Sequence, residues 1–146
     1  MSSGTAPARG IPEKIGALFP TFSRALDYLK LRRAWLVGGT AFVLLVIYLS
    51  LTPRPLEVPN VGPFKAGHMV AYAWLMLWFA QLTRVRDRIL IGVALALMGV
   101  GLEYLQDFTG HRTFAYSDMR DNAIGVAIGF LLALTPLGGA ARRLAR

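Results

Sequence analysis

The run AWLVGGTAFVLLVIYLSL, residues 34–51, carries no charged side chain over 18 consecutive positions. As a helix it is about 27 Å long at ~1.5 Å per residue, close to the thickness of a hydrocarbon core. The composition agrees, because only 16% of the 146 residues are charged, against about 25% in typical soluble domains. The run therefore predicts a membrane-spanning helix.

Three further apolar stretches follow, at residues 67–83, 89–106 and 118–134. Helices of this length reach about 25–27 Å, and local bilayer thinning or snorkelling of flanking residues accommodates so small a mismatch. Only helices and closed barrels satisfy their backbone hydrogen bonds in lipid. We therefore predict an all-α membrane protein whose single domain, residues 34–137, is a bundle of four transmembrane helices.

The two flanks of this domain are basic. Residues 1–33 form a cytoplasmic flank, in which residues 11–33 alternate apolar side chains with Lys and Arg around Pro20. Such a segment can lie along the membrane surface as an amphipathic or interfacial element. Alternatively, it sets the topology and has little structure of its own. Residues 138–146 are predicted to be a basic cytoplasmic tail.

The distribution of Lys and Arg predicts the orientation. Of the 16 basic residues, 12 fall in the amino-terminal flank, in a predicted turn at residues 84–88 and in the tail, and four fall on the opposite side. Because cytoplasmic loops are enriched in Lys and Arg, we predict a multi-pass protein with both termini in the cytoplasm. The two sides then carry charges of +9 and −1. Attraction to anionic lipid explains the basic balance, so we expect no nucleic-acid partner.

Polar and ionisable residues gather at the predicted outer ends of the spans. They lie on shared helical faces, at spacings of three and four residues. Three helices and one loop bring them to a common depth, and together they form the predicted polar cluster: Lys65, His68, Tyr72, Glu103, Gln106, Arg112, Asp118 and Asn122.

Each member of this cluster also has a purely structural interpretation. Lys65 can snorkel to the interface, Asp118 can cap the fourth helix, and Asn122 can join helices by hydrogen bonds. Glu103 and His68 are harder to explain in this way, because ionisable groups within a span are costly and usually mark function. The convergence of all eight favours a ligand-binding site.

Small residues predict how the helices pack. Gly125 and Gly129 lie four residues apart in the fourth predicted span. Small side chains at this spacing let helices approach closely in lipid. We therefore predict a helix-packing role for both glycines.

The order and spacing of these residues have a counterpart in a known family. Between residues 60 and 130 the chain contains four blocks: Lys65-x2-His68-x3-Tyr72, Glu103-x2-Gln106, His111-Arg112-Thr113-Phe114 and Asp118-x3-Asn122-x2-Gly125-x3-Gly129. In this arrangement the chain resembles the VanZ-like family of bacterial membrane proteins. It departs from the family at Phe64, where an acidic residue often stands. The resemblance implies a protein of the bacterial inner membrane and cell envelope whose polar residues face outward. It also implies a link to antibiotic resistance, against the glycopeptide teicoplanin, but it supplies no reaction.

Two functions remain open. The first is non-enzymatic binding of an anionic lipid headgroup, a lipid-linked precursor or a partner, with Lys65 and Arg112 near the positive end of helix four holding a phosphate or carboxylate. The alternative is a membrane-embedded enzyme that uses His68, Glu103 and Asp118 in acid–base chemistry on a lipid-linked substrate. The chain has no recognisable nucleophile motif or phosphate loop, which places binding first. We expect no cofactor and no metal, since the spacing matches no established metal motif. The pattern does not indicate an oligomeric state.

Overall fold

The computed structural model of the chain describes residues 18–53, 65–110 and 114–144. Every element within these ranges is helical. In chain order they are α1 Leu18–Leu51, α2 Ala66–Ala80, α3 Val85–Phe108, α4 Tyr116–Leu134, a 3-10 turn Pro136–Gly139 and α5 Ala140–Leu144. The all-α class predicted from the apolar runs is therefore confirmed.

Two of these helices are long and apolar enough to cross a membrane, namely the part of α1 at Leu26–Leu51 and all of α3. A third span is obtained if α4 and the segment Pro136–Arg143 count as one, with a bend of 73° between them. Helix α2 is apolar but has only 15 residues, which is about 22 Å. By length and composition, the described part of the chain thus has two or three candidate spans, as expected of a membrane protein.

Helix α1 is longer than the apolar run within it. It begins at Leu18 and continues for 34 residues. Pro20 lies in its first turn, where the missing N–H costs no intrahelical hydrogen bond. The described part of the basic flank, residues 18–33, is therefore helical and continuous with the first predicted span, so the helix begins before the predicted boundary at residue 34.

The predicted turn at residues 84–88 was also placed too late in the chain. Helix α2 ends at Ala80, and α3 begins at Val85 after Arg84, whose backbone is extended. Asp87 lies in the first turn of α3, where a carboxylate stabilises the positive end of the helix dipole. Arg86 and Arg88 therefore belong to a helix, and the connection is limited to residues 81–84.

Helix α2 lies at the centre of the fold and packs against α1, α3 and α4. Its contact with α4 is the closest, because Gly125 and Gly129 face its backbone. A Cβ atom at Gly125 would lie 2.5 Å from the carbonyl oxygen of Met69, and one at Gly129 would lie 2.7 Å from the Cβ of Met76. No side chain larger than hydrogen fits these two positions without a shift of the neighbouring helix.

The carboxyl-terminal segment folds back on the bundle, which the description of it as a tail did not anticipate. A buried arginine, Arg88, is 4% exposed and donates hydrogen bonds to three backbone carbonyls where the neighbouring helices end: those of Ala80, Ala133 and Gly138. Such carbonyls have no partner within their own helix. From the sequence, Arg88 was predicted only to be one of the basic residues on the cytoplasmic side.

Gln81 fixes the same segment from the end of α2. Its side-chain Nε2 donates to the carbonyl oxygen of Leu137 at 2.9 Å, and its Oε1 accepts from the backbone N–H of Ala141 at 3.2 Å. Residues 136–144 are therefore an ordered cap on the basic end of the bundle.

Candidate functional site

Two buried carboxylates form the centre of the site. Asp118 and Asp121 lie in the first two turns of α4, with exposures of 2% and 0%. Their spacing of three residues places both on one helical face. The positive end of the helix dipole favours carboxylates at this position. The chain thus places two negative charges between α2 and α4 at the start of both helices.

Lys65 is held by both carboxylates. Its ammonium Nζ lies 2.6 Å from Oδ1 and 2.8 Å from Oδ2 of Asp118. Its backbone N–H donates to Oδ2 of Asp121 at 2.7 Å. Lys65 is the residue before α2, with an extended backbone, so these bonds join the start of α2 to the start of α4. They fix the position of the lysine side chain, which remains 39% exposed.

His68 and Arg120 complete this group. The Nδ1 atom of His68 lies 3.6 Å from Oδ2 of Asp118. The guanidinium of Arg120 contacts Oδ1 of Asp121 through Nε and Nη2, both at 2.9 Å. The side chains of His68 and Arg120 are 25% and 46% exposed. We call these five residues, Lys65, His68, Asp118, Arg120 and Asp121, the α2–α4 cluster.

The acidic and the nitrogen-bearing side chains of the cluster differ in burial. The two carboxylates are buried, whereas the three nitrogen-bearing side chains reach the surface. A ligand that approaches from outside therefore meets N–H groups first. Charged N–H donors form strong hydrogen bonds with phosphate or carboxylate oxygens. The ammonium of Lys65 and the guanidinium of Arg120 are therefore partly exposed cations whose positions are fixed by buried carboxylates.

Tyr72 and Asn122 extend the polar region one turn deeper. Both are buried, and Oη of Tyr72 and Oδ1 of Asn122 have no hydrogen-bond partner within the described ranges. Both side chains border Gly99, where a Cβ atom would lie 3.3 Å from Oη of Tyr72 and 3.0 Å from Nδ2 of Asn122. Buried polar atoms without partners cost about 1–3 kcal/mol each. A hydroxyl or amide group of a ligand would remove this cost.

Glu103 and Gln106 contact other elements. Oε1 of Glu103 accepts a hydrogen bond from the backbone N–H of Ala115, at 2.5 Å, directly before α4. Nε2 of Gln106 donates to the carbonyl oxygen of Ser50 near the end of α1, at 2.7 Å. The two residues thus join α3 to the start of α4 and to the end of α1. Both bonds are of the interhelical kind that polar residues form in membranes.

The structure thus brings Lys65, His68 and Asp118 into direct contact and places Tyr72 and Asn122 beneath them. The position of Arg112 lies outside the described residues, as does that of its neighbour His111, so its place in the predicted polar cluster stays a prediction.

Sequence reasoning missed Arg120 and Asp121 as members of the site. The available signal was the spacing, because Asp121 follows Asp118 by three residues and shares its helical face. Within the described ranges, no group of three His, Asp or Glu side chains lies close enough to hold a metal ion.

No protein-family model, curated protein or solved structure matches the chain.

Proposed function

We propose that the protein is a VanZ-like membrane protein of the bacterial envelope, and that its α2–α4 cluster binds the anionic headgroup of a membrane lipid or of a lipid-linked precursor. The observation that carries this proposal is the contact between Lys65 and Asp118. A lysine ammonium has three N–H donors, and two of them are directed at the buried carboxylate. The third is available to a phosphate oxygen on the exposed side.

The lysine side chain is already oriented before a ligand binds, and this favours a higher affinity. A lysine that must be ordered by its ligand loses about 0.5–1.5 kcal/mol of affinity through side-chain entropy. Asp118 and the backbone contact to Asp121 already fix Lys65 in the unliganded protein. Arg120 lies beside it, anchored on Asp121, and its planar guanidinium suits the geometry of a phosphate. Arg112 is proposed as a further cation of the site.

The proposed architecture is a four-helix bundle in the cytoplasmic membrane, with both termini in the cytoplasm and the cluster facing outward. The charge distribution of the sequence supports this orientation. The positions of the cluster and of Arg88 also support this orientation. Helices α2 and α4 both begin at the cluster and end beside Arg88, so the cluster and Arg88 lie at opposite ends of the bundle. The short α2 spans the membrane with its flanking residues and local thinning of the bilayer.

Family membership is part of the same proposal. It is supported by the blocks around Lys65, Glu103 and Asp118, which resemble the VanZ-like pattern. A link to glycopeptide resistance would follow from that resemblance. Binding of the headgroup of a cell-wall precursor at the outer surface would be compatible with such a link.

A soluble headgroup tests the binding site without involving an acyl chain. We expect glycerol phosphate, at tenfold its dissociation constant, to stabilise the detergent-solubilised protein by about 1.4 kcal/mol. This corresponds to a rise in melting temperature of roughly 3–6 °C. Glycerophosphocholine, which has no net charge, should give no rise.

Two charge-matched variants locate the effect. Lys65→Gln should abolish the stabilisation, whereas Lys30→Gln should keep it, because Lys30 is an exposed residue of α1 that pairs with Asp27. If Lys65→Gln does not fold, Arg120→Gln replaces it and should weaken the response. Equal stabilisation of the wild type by the two headgroups would contradict the proposal, and so would a full response in both cluster variants.

The second candidate function is a membrane-embedded enzyme, and one observation favours it. The carboxylate of Asp118 lies beside the imidazole of His68, at 3.6 Å. A carboxylate that orients a histidine is common in acid–base catalysis. Glu103 is less suited to this role, because its Oε1 is bonded to the backbone of Ala115. An enzyme would lose all turnover of a lipid-linked substrate in His68→Gln while still responding to glycerol phosphate.

A further inference from the structure

A second feature lies at the opposite end of the bundle from the α2–α4 cluster. Between α1 and α2 there is a cavity of about 150 Å³, lined by Trp35, Trp74, Leu77, Trp78 and Gln81. A single water needs only about 10–15 Å³ of such volume. The chain has three tryptophans, and all of them line this cavity.

The polar groups of Trp35, Trp78 and Gln81 in the cavity wall already form hydrogen bonds within the protein. The indoles of Trp35 and Trp78 stack with their centres 4.3 Å apart. Each N–H donates to the backbone carbonyl of the other residue, at 2.9 and 3.0 Å. The amide of Gln81 donates to Leu77 and Leu137. What these three residues offer to the cavity is therefore apolar surface on a rigid frame. An engineered apolar cavity of about 150 Å³ in another protein stays dry and takes up apolar ligands.

The surroundings of the cavity indicate what fills it. Its wall includes exposed apolar surface at Trp74, of which 50% is exposed. In a membrane, lipid acyl chains cover such surface and can reach the cavity from the side. An acyl chain is thus the apolar group that lies next to the opening.

A basic side chain beside the cavity favours a lipid with an anionic headgroup. Arg32 precedes Trp35 by three residues and shares its helical face. Its side chain is exposed. Basic side chains beside the membrane surface attract anionic lipids, and Arg32 lies one helical turn from the lining residue Trp35.

We propose that this cavity binds one acyl chain of an anionic phospholipid, whose headgroup contacts Arg32. This site is separate from the α2–α4 cluster and does not depend on the function proposed for that cluster. Only 11% of the most apolar part of α1 is buried, so a lipid seated between α1 and α2 would strengthen a weakly packed joint. The lipid is thus a structural ligand of the fold.

Tryptophan fluorescence reports on this site, because every tryptophan of the chain lines it. The full-length protein is placed in vesicles of phosphatidylglycerol and phosphatidylcholine, with bromine on the acyl chains of one lipid at a time. Bromine quenches tryptophan at contact distance. We expect brominated phosphatidylglycerol to compete for the site about fivefold better than brominated phosphatidylcholine, the effect of one cation beside an anionic lipid.

Neighbouring arginines provide the matched control. Arg32→Gln should reduce the fivefold preference towards one. Arg33→Gln should keep it, because Arg33 precedes Trp35 by two residues and points away from the cavity face. Leu77→Phe adds bulk to the lining and should remove the preference in a protein that still melts as the wild type does.

Three results would overturn the proposal. Equal quenching by the two brominated lipids in the wild type would show that the cavity has no headgroup preference. An equal loss in Arg32→Gln and Arg33→Gln would assign the preference to bulk charge. Quenching that weakens as the protein-to-lipid ratio rises would show that a second copy of the chain fills the cavity.

Discussion

The contact between α2 and α4 can be tested by adding one methyl group to Gly129. A Cβ atom there would lie 2.7 Å from the Cβ of Met76 and 3.0 Å from the carbonyl carbon of Ala73. Both are closer than atoms in contact can be, so a helix must move. Overpacking of this kind typically costs about 1–3 kcal/mol. Alanine has a better helix propensity than glycine, which offsets this cost by about 0.8–1.0 kcal/mol.

Gly101 provides a control that isolates the clash. It also lies in a helix, but a Cβ atom there would meet nothing within 4 Å. Gly101→Ala gains the propensity alone and should raise the melting temperature. The difference between Gly129→Ala and Gly101→Ala then equals the packing cost, since the propensity is common to both. That difference corresponds to roughly 2–12 °C, measured by circular dichroism in detergent. Equal shifts for the two variants would refute the close approach of α2 and α4.

Three further predictions concern single residues. Arg88→Gln should destabilise the fold by at least about 2 kcal/mol, because the buried carbonyls of Ala133 and Gly138 lose a donor at about 1–3 kcal/mol each, whereas Arg86→Gln, whose side chain is 75% exposed, should leave the melting temperature nearly unchanged. Asp121→Ala should lower the melting temperature much more than Asp87→Ala, since only Asp121 is buried and holds Lys65; equal losses would argue against its place at the centre of the site. A cysteine at position 86 of this cysteine-free chain should react with an impermeant reagent only after the cells are opened, and labelling of intact cells would reverse the proposed topology.

Most of the helical architecture could be predicted from the sequence. An apolar run such as residues 34–51 has few alternatives in lipid, because a helix satisfies all of its own backbone hydrogen bonds. The predicted ends of the helices were less accurate. Hydropathy marks where a helix is apolar, while α1 continues through a basic segment to Leu18. Charge also does not distinguish an exposed arginine from a buried one, so Arg88 was counted with Arg86.

The candidate site could be predicted only in part, because a sequence pattern does not show how closely two helices pack. Periodicity places Lys65 and Asp118 at the same depth on their helices, and that is enough to expect them near each other. It cannot reveal that the backbone N–H of Lys65 bonds to Asp121, since that bond depends on how closely α2 approaches α4 at Gly125. Nor can it reveal that Glu103 is directed to the backbone of Ala115. Such contacts follow from the packing of the helices.

The central claim is that Lys65, held by buried carboxylates, binds an anionic headgroup. The chain has three lysines, at positions 14, 30 and 65, so labelling lysine with ¹⁵N at Nζ gives a spectrum of three signals, with Lys65→Arg assigning the third. During a titration with glycerol phosphate, we predict that the Nζ signal of Lys65 shifts and saturates while that of Lys30 does not move. Movement of both signals in parallel, or no movement of the Lys65 signal at a saturating concentration, would contradict the account.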